Sequence, residues 1–306
     1  MTKNHFYCHI CGLKFYFIKL LVYIFILFTV FSSCVDTLPL SNVDGERKLF
    51  VVCEMKVGQK LIANVSFLGN TQGVNYEPVL QGDTFNLAIS EGDSDFGVPF
   101  IFDKSSKGDF FISEGKINLK SGIKYKFRGI GNNSTTFEPI VTIPAIMDIE
   151  TVFVELTDKK IVNNLTISKI RCVVKLNEKY HPQTYFYILP TTENGNPIGA
   201  NFEKDFQAYK SLSHRSGFLV DYERVTDSEL VFYLETIGTD IPKMIHVEFG
   251  NVSPSFYQYN YFKSNATTGL NATSLDPAIS GFNINTDLAL GSFSAMTSFV
   301  NKYPVK

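Results

Sequence analysis

The feature that most limits what this chain can fold into is a two-residue alternation of apolar and charged side chains, recurring in short runs. In one run Tyr125 and Phe127 alternate with Lys124, Lys126 and Arg128; in another Ile170, Cys172, Val174 and Leu176 alternate with Lys169, Arg171, Val173 and Lys175. Successive side chains of a strand point to opposite faces, so this pattern sets one face on a core and the other in water. Further strand-like runs are Leu49–Cys53, Leu61–Phe67, Phe85–Ile89, Phe100–Phe102, Asp109–Ile112 and Lys116–Leu119. Glycine, Asn, Asp and Ser separate them, and seven or so strands in roughly 100 residues predict an immunoglobulin-like β-sandwich. Nothing resembles the strand-helix rhythm of a parallel α/β sheet.

Beyond Ile140-Val-Thr-Ile-Pro144 the runs continue with Tyr185–Leu189, Leu230–Leu234, Ile245–Phe249 and Phe256–Phe262. The expected fold is therefore all-β: an immunoglobulin-like sandwich over residues 47–147, then a second β-rich sandwich or barrel-like domain over 148–306 with little helix. Phe202–Ser211 is the best helix candidate, with Phe202, Phe206 and Tyr209 on one face. The tail from Gly281 to Lys306 is expected to fold back over the sheet. With 28 Phe and 15 Tyr among 306 residues, both cores can be filled.

The amino-terminal stretch has a different character. Phe15–Phe31 is apolar apart from Lys19 and Thr29, and its uninterrupted part from Leu20 is about twelve residues long. Spanning a bilayer takes about twenty. A basic segment, a short apolar segment and small residues are the order of a secretory signal, so residues 1–33 are expected to be a cleaved signal peptide. Phe31-Ser32-Ser33-Cys34 resembles a bacterial lipobox, in which the Cys thiol is acylated. Cys34 is thus the expected lipidation site, with residues 34–46 as lipidated Cys and polar tether. Two acyl chains supply the double signal that stable anchoring requires.

Removal of residues 1–33 leaves 25 basic against 30 acidic residues. A weakly acidic surface offers no footprint for a phosphate backbone, and nucleic acid is excluded as an expected partner. Cys8 and Cys11 would leave with the signal, so their CxxC has no second half. Cys53 and Cys172 lie in separate strand-like runs and are read as buried free thiols.

The residues offer no catalytic constellation. Outside the signal the histidines are His181, His214 and His246, each isolated, and there is no HExxH, GxSxG or glycine-rich phosphate loop. Ser213-His214 places a nucleophile type beside a base type, but sequence neighbours rarely have triad geometry. Glu91-Gly-Asp93-Ser-Asp95 spaces oxygen ligands as a calcium loop does, yet Phe96 and Phe102 stand where such a loop wants Gly and a carboxylate. No enzyme activity, cofactor or metal is expected.

Tyr257, Tyr259 and Tyr261 would share one face of a strand through Phe256–Phe262. Such a row is either a ligand or partner surface, since a Tyr ring is apolar and its hydroxyl tolerates water, or one wall of a core. Both readings stand at this point.

A resemblance rests on Lys48-Leu-Phe-Val-Val52, Ser121-Gly-Ile-Lys-Tyr125, Val141-Thr-Ile-Pro144 and Tyr185-Phe-Tyr187. Its strongest part runs from His246 to Tyr259, followed by Asp276-Pro277, Asn283-Ile-Asn285 and Leu290-Gly-Ser-Phe-Ser-Ala295. With the lipobox, these resemble a Bacteroidota outer-membrane lipoprotein family of unknown function, usually encoded beside TonB-dependent receptors. The resemblance implies a lipid-anchored, surface-exposed outer-membrane protein that is the accessory subunit of a TonB-dependent transporter. Its partners would be the β-barrel receptor and the membrane. The alternative function is a structural or adhesive cell-surface lipoprotein.

Overall fold

The computed structural model describes residues 48–306 apart from 69–75, 79–84, 93, 95–96, 106–107, 115–116, 132–133, 178–182, 203–206, 213–214, 227, 239 and 268–281. Cys34, the signal, the tether, His181, His214, Asp93, Asp95, Phe206 and Asp276 therefore lie outside the described residues. The first strands are β1 (Lys48–Lys56), β2 (Ile62–Leu68), β3 (Tyr76–Pro78), β4 (Phe85–Glu91), β5 (Val98–Ser105), β6 (Gly108–Ser113), β7 (Lys124–Gly131), β8 (Ser134–Phe137) and β9 (Ile140–Thr142). There follow β10 (Ile149–Val162), β11 (Leu165–Leu176), β12 (Tyr185–Thr191), β13 (Gly199–Asn201), β14 (Tyr209–Ser211), β15 (Phe218–Asp221), β16 (Glu229–Gly238) and β17 (Met244–Val252). Helix α1 (Pro254–Thr267), β18 (Ile284–Asn285) and β19 (Ala289–Pro304) complete the chain. The fold is all-β, as the alternation implies.

Two sheets result. The larger runs β14-β15-β12-β17-β19-β1-β2-β6-β5-β4-β7-β8, and the smaller runs β10-β11-β16-β13. The larger sheet curls so that β4 and β7 face β1 and β19 across a first core of Leu49, Val51, Cys53, Met55, Leu87, Ile89, Tyr125, Phe127, Phe293 and Ala295. The alternation of Tyr125 and Phe127 with Lys124, Lys126 and Arg128 does what it predicts: both aromatic rings are buried on one face of β7. In the second core β11 and β16 contribute Ile170, Cys172, Val174, Phe232 and Leu234, facing Phe186, Ile188, Phe218, Val247 and Phe249 of the larger sheet. Phe218 and Phe232 meet across it at 5.1 Å. The Tyr209 hydroxyl accepts the Val231 N–H at 2.9 Å, pinning one sheet to the other. Cys53 and Cys172 are free and buried, one in each core.

The tail is placed differently from the expectation. It does not fold over the sheet; β19 is its central strand, parallel to β1 on one side and antiparallel to β17 on the other. At 16 residues and ~3.3 Å per residue it is roughly 50 Å long, enough to serve both cores. Phe293 and Ala295 face the first and Phe299 the second. The described residues from Lys48 to Lys306 accordingly form one compact unit. Beyond β19, Lys306 donates its N–H to Val154 O and accepts from Leu156 N, in the hydrogen-bond pattern of a parallel pair, so β10 continues in the direction of the spine. The Asn163-Asn164 turn that ends β10 has φ of 52° and 63°, the left-handed pair of a two-residue hairpin. That turn and Lys48 lie at opposite ends of the spine.

The helix expected at Phe202–Ser211 also yields. Tyr209–Ser211 is strand β14, paired with β15. The aromatic spacing that suggested a helical face serves another purpose: Phe202 and Tyr209 stack at 4.5 Å over Phe218 as an aromatic plug at the edge of the second core.

Candidate binding surface

The three tyrosines of the predicted row are not on a strand. Phe256–Phe262 belongs to α1, and the start of that helix explains why. Ser253 is its N-cap, its Oγ accepting the Phe256 N–H at 3.3 Å, and Pro254 occupies the first helical position, where no N–H is needed. The cap is tied to the spine, because Ser253 N–H donates to Ala295 O at 2.9 Å and Ala295 N–H to Ser253 Oγ at 3.0 Å. Ser255 Oγ and Asn283 Nδ2 both donate to Phe293 O, and Asn283 Oδ1 accepts the Phe293 N–H. These side chains satisfy the edge of β19 where β17 has ended, so the backbone there has partners without another strand.

At 3.6 residues per turn, a two-residue spacing splits a row where a strand would align it. Tyr257 and Tyr261, four apart, stay together on one flank, with ring centroids 6.1 Å apart and planes 16° from parallel. Tyr259 goes to the other flank, beside Phe282 and Lys263. Tyr257 and Tyr259 are buried, whereas Tyr261 keeps 36% of its surface in solvent.

Helix α1 covers the outer face of the larger sheet. Alternation fixes which residues it meets. Phe186 and Ile188 of β12 enter the second core, so Tyr185, Tyr187 and Leu189 face the helix. On β15 Phe218 and Val220 face the core, leaving Leu219 and Asp221 on the helix side. Lys210 of β14 pairs with Leu219 and shares that face.

A tyrosine ladder results. Tyr185 stacks on Tyr257 at 4.2 Å, Tyr257 on Tyr261 at 6.1 Å, and Lys210 Nζ lies 5.6 Å from the Tyr261 ring centroid. Burial pushes the phenols of Tyr185 and Tyr257 above their ordinary range, and the charge of Asp221 adds to it. Asp221 is the direct cross-strand partner of Tyr185, and such partners have Cβ atoms about 4.5–5.5 Å apart. Its Oδ2 pairs with Arg224 Nε at 3.0 Å, but its Oδ1 is buried without a hydrogen-bond partner among the described residues. Leaving such an oxygen unmatched costs about 1–3 kcal/mol.

No protein-family model and no curated protein matches this chain.

A second cluster lies on the other side of the helix's first turns. Arg215, in the loop between β14 and β15, sets its guanidinium 5.0 Å from the ring centroids of both Tyr187 and Phe256. It pairs with Glu54 of β1 at 3.3 Å and donates to Asn260 Oδ1 at 3.5 Å. The Tyr187 hydroxyl donates to Ser216 O at 2.6 Å. Every member of this group has a partner, and the cluster clamps loop, helix and β1 together.

Of the expected site residues, the structure brings Tyr257 and Tyr261 together and separates Tyr259. Sequence reasoning missed Tyr185, Lys210 and Asp221. Tyr185 was visible as the start of a strand, but nothing in the order of residues joins it to Tyr257, and Asp221 carries no local signal. Among the described residues, no group of three or more His, Cys, Asp or Glu is placed to hold a metal ion.

Proposed function

We propose that this protein is a non-catalytic outer-membrane lipoprotein, anchored through Cys34, that serves as accessory subunit of a TonB-dependent transporter and helps capture its substrate. The observation that carries the reading is the lipobox-like Phe31-Ser-Ser-Cys34 closing a short apolar stretch, followed by a polar tether. An acylated Cys34 would tether the all-β body to the membrane through the chain that leads into β1. The tyrosine ladder supports a capture role, since Tyr261 offers a partly exposed aromatic ring beside the charge of Lys210. Purification from native membranes in mild detergent is expected to recover a β-barrel receptor with the protein, and mass spectrometry to find a diacylated Cys34 as the mature amino terminus. Recovery of the lipoprotein alone, or an unmodified thiol, would overturn the reading.

One observation favours a structural or adhesive surface role. At the β10–β11 turn Ile161, Val162 and Leu165 are 70%, 48% and 44% exposed, on both faces of the hairpin and at the far end of the spine from Lys48. Exposed apolar side chains at the tip of a hairpin suit contact with another surface. Replacing all three by Ser is expected to weaken surface adhesion without changing import if this role is the principal one. Under the transporter reading, deletion of the protein impairs import.

A further inference from the structure

We infer that the cavity between the Glu91 end of β4 and the loop that carries Lys120 is a binding site for a free α-amino acid with an apolar side chain. What such binding would serve rests on the proposed capture role. The binding itself is a property of this chain alone.

Three features of one place carry the inference. The first is space with an apolar floor. Ile89, Val98, Ile117 and Tyr125 line, together with Glu91 and Lys120, an open cavity of about 380 Å³. Small-molecule sites span roughly 300–1,000 Å³ and have mostly apolar walls with a few polar groups that orient the ligand. Ile89 and Tyr125 are buried, and Val98 and Ile117 pack against the same first core, so the floor is the outer margin of that core.

The second feature is that the cavity is preformed. The Tyr125 hydroxyl accepts the Lys120 N–H at 3.1 Å and donates to Asn118 O at 3.4 Å, as a tyrosine corner fastens an immunoglobulin-like sandwich. Gly122 N–H donates to Ile143 O at 2.9 Å and Ile143 N–H to Ile123 O at 3.0 Å. The loop that carries Lys120 is thus tied down on both sides, and a ligand meeting it has little ordering entropy to overcome.

The third feature is a loose pair of opposite charges at the rim. Lys120 Nζ and Glu91 Oε1 are 3.4 Å apart, with side chains 56% and 48% exposed. Charge-assisted hydrogen bonds close to about 2.7–2.9 Å, and an exposed pair contributes little to stability, so this one opens at small cost. An α-amino acid that gives its ammonium to Glu91 and its carboxylate to Lys120 exchanges one loose pair for two. Its side chain then covers the apolar floor.

Other ligands fit less well. A simple anion would take Lys120 and leave Glu91 beside it as a like charge, and a simple cation would do the reverse with Lys120. An uncharged apolar molecule would gain the floor alone and leave the charges at the rim unused.

The test uses the full chain in mild detergent, isotopically labelled at the isoleucine methyl groups, with L-leucine and L-phenylalanine as probes and methyl NMR and calorimetry at low ionic strength as readouts. At least one probe is expected to bind and to shift the methyl signals of Ile89 and Ile117. N-acetyl-L-leucine, which lacks the ammonium, and L-leucinamide, which lacks the carboxylate, are each expected to bind at least five-fold more weakly than L-leucine. Glu91→Gln and Lys120→Gln are each expected to weaken the amino acid at least five-fold. Glu150→Gln and Lys159→Gln, the same charge changes elsewhere on the surface, are expected to bind as the parent does. Circular dichroism would check that each variant is folded. Failure of both amino acids to bind at millimolar concentration, derivatives that bind as tightly as L-leucine, or binding indifferent to either Glu91→Gln or Lys120→Gln overturns the inference. Because no receptor enters the experiment, that failure is distinct from failure to recover a transporter.

Discussion

Phe293 on the last strand stacks on Phe127 of β7, with ring centroids 5.1 Å apart and planes 27° from parallel. Both rings are fully buried. The contact closes the first core with a residue from the far end of the chain, and the same strand runs on to place Phe299 in the second core. The stability of the two halves is coupled through this strand.

Phe293→Ala is expected to cost about 3–5 kcal/mol, the range for a buried Phe truncation. Urea unfolding would show a lower midpoint, and hydrogen exchange would show faster opening of β17 in the second half as well as of β1. Exchange confined to the first half would argue against the coupling.

Gly291 lies where β19 passes β1, with φ of 149°, and a Cβ there would sit 1.7 Å from Val51 O. Gly291→Ala must break the β1–β19 ladder or fail to fold, and soluble expression should fall sharply. Gly58, with φ of 82° and open space around it, is the control. Gly58→Ala is expected to cost only about 1–2 kcal/mol of backbone strain.

Ser253 serves two partners, capping α1 and accepting the Ala295 N–H. Ser253→Ala removes the cap, worth about 1 kcal/mol, and leaves a buried N–H unmatched, worth about 1–3 kcal/mol more. Thermal unfolding followed by circular dichroism should show a lower Tm. Ser253→Thr, which keeps the hydroxyl, should recover most of the loss.

Burial raises the Cys172 thiol from its ordinary 9.0 to about 12, and burial with the neighbouring Glu54 charge pushes Cys53 up too. Burial also raises the phenols of Tyr185, Tyr187, Tyr257 and Tyr303. The unfolded chain releases these protons at lower pH than the folded one. Their contribution is therefore complete below about pH 9 and is lost as pH rises towards the folded values. Urea midpoints should fall progressively as pH rises from about 9 to about 12. Cys172→Val should flatten the early part of that fall, and an unchanged slope would sink the assignment.

The strand class was legible because it is written locally. Alternation in Lys124–Arg128 and in Lys169–Leu176 states which face is buried whatever the partner; β7 obeys it, and β11 does so except at Val173, which is buried on the opposite face. Phe256–Phe262 misled for the same reason: its tyrosines repeat every second residue. The signals that decide for helix are Ser253-Pro254 and the four-residue spacing of Phe256, Asn260 and Ser264, all buried against the sheet. Phe202 and Tyr209 misled in the opposite sense, their helical spacing being met by a loop and a strand that bring the rings together.

The chain's own order of residues determined that it would be built of strands, where the apolar face of each would lie, and that Cys53 and Cys172 would be buried thiols. Tertiary structure alone decided that β19 runs between β1 and β17, that α1 crosses the outer face, and that Tyr185, Asp221 and Lys210 join Tyr257 and Tyr261. The reason is that alternation encodes a face and carries no information about which strand lies alongside. That choice is made by the packing of both cores together, where burial is summed over residues far apart in sequence.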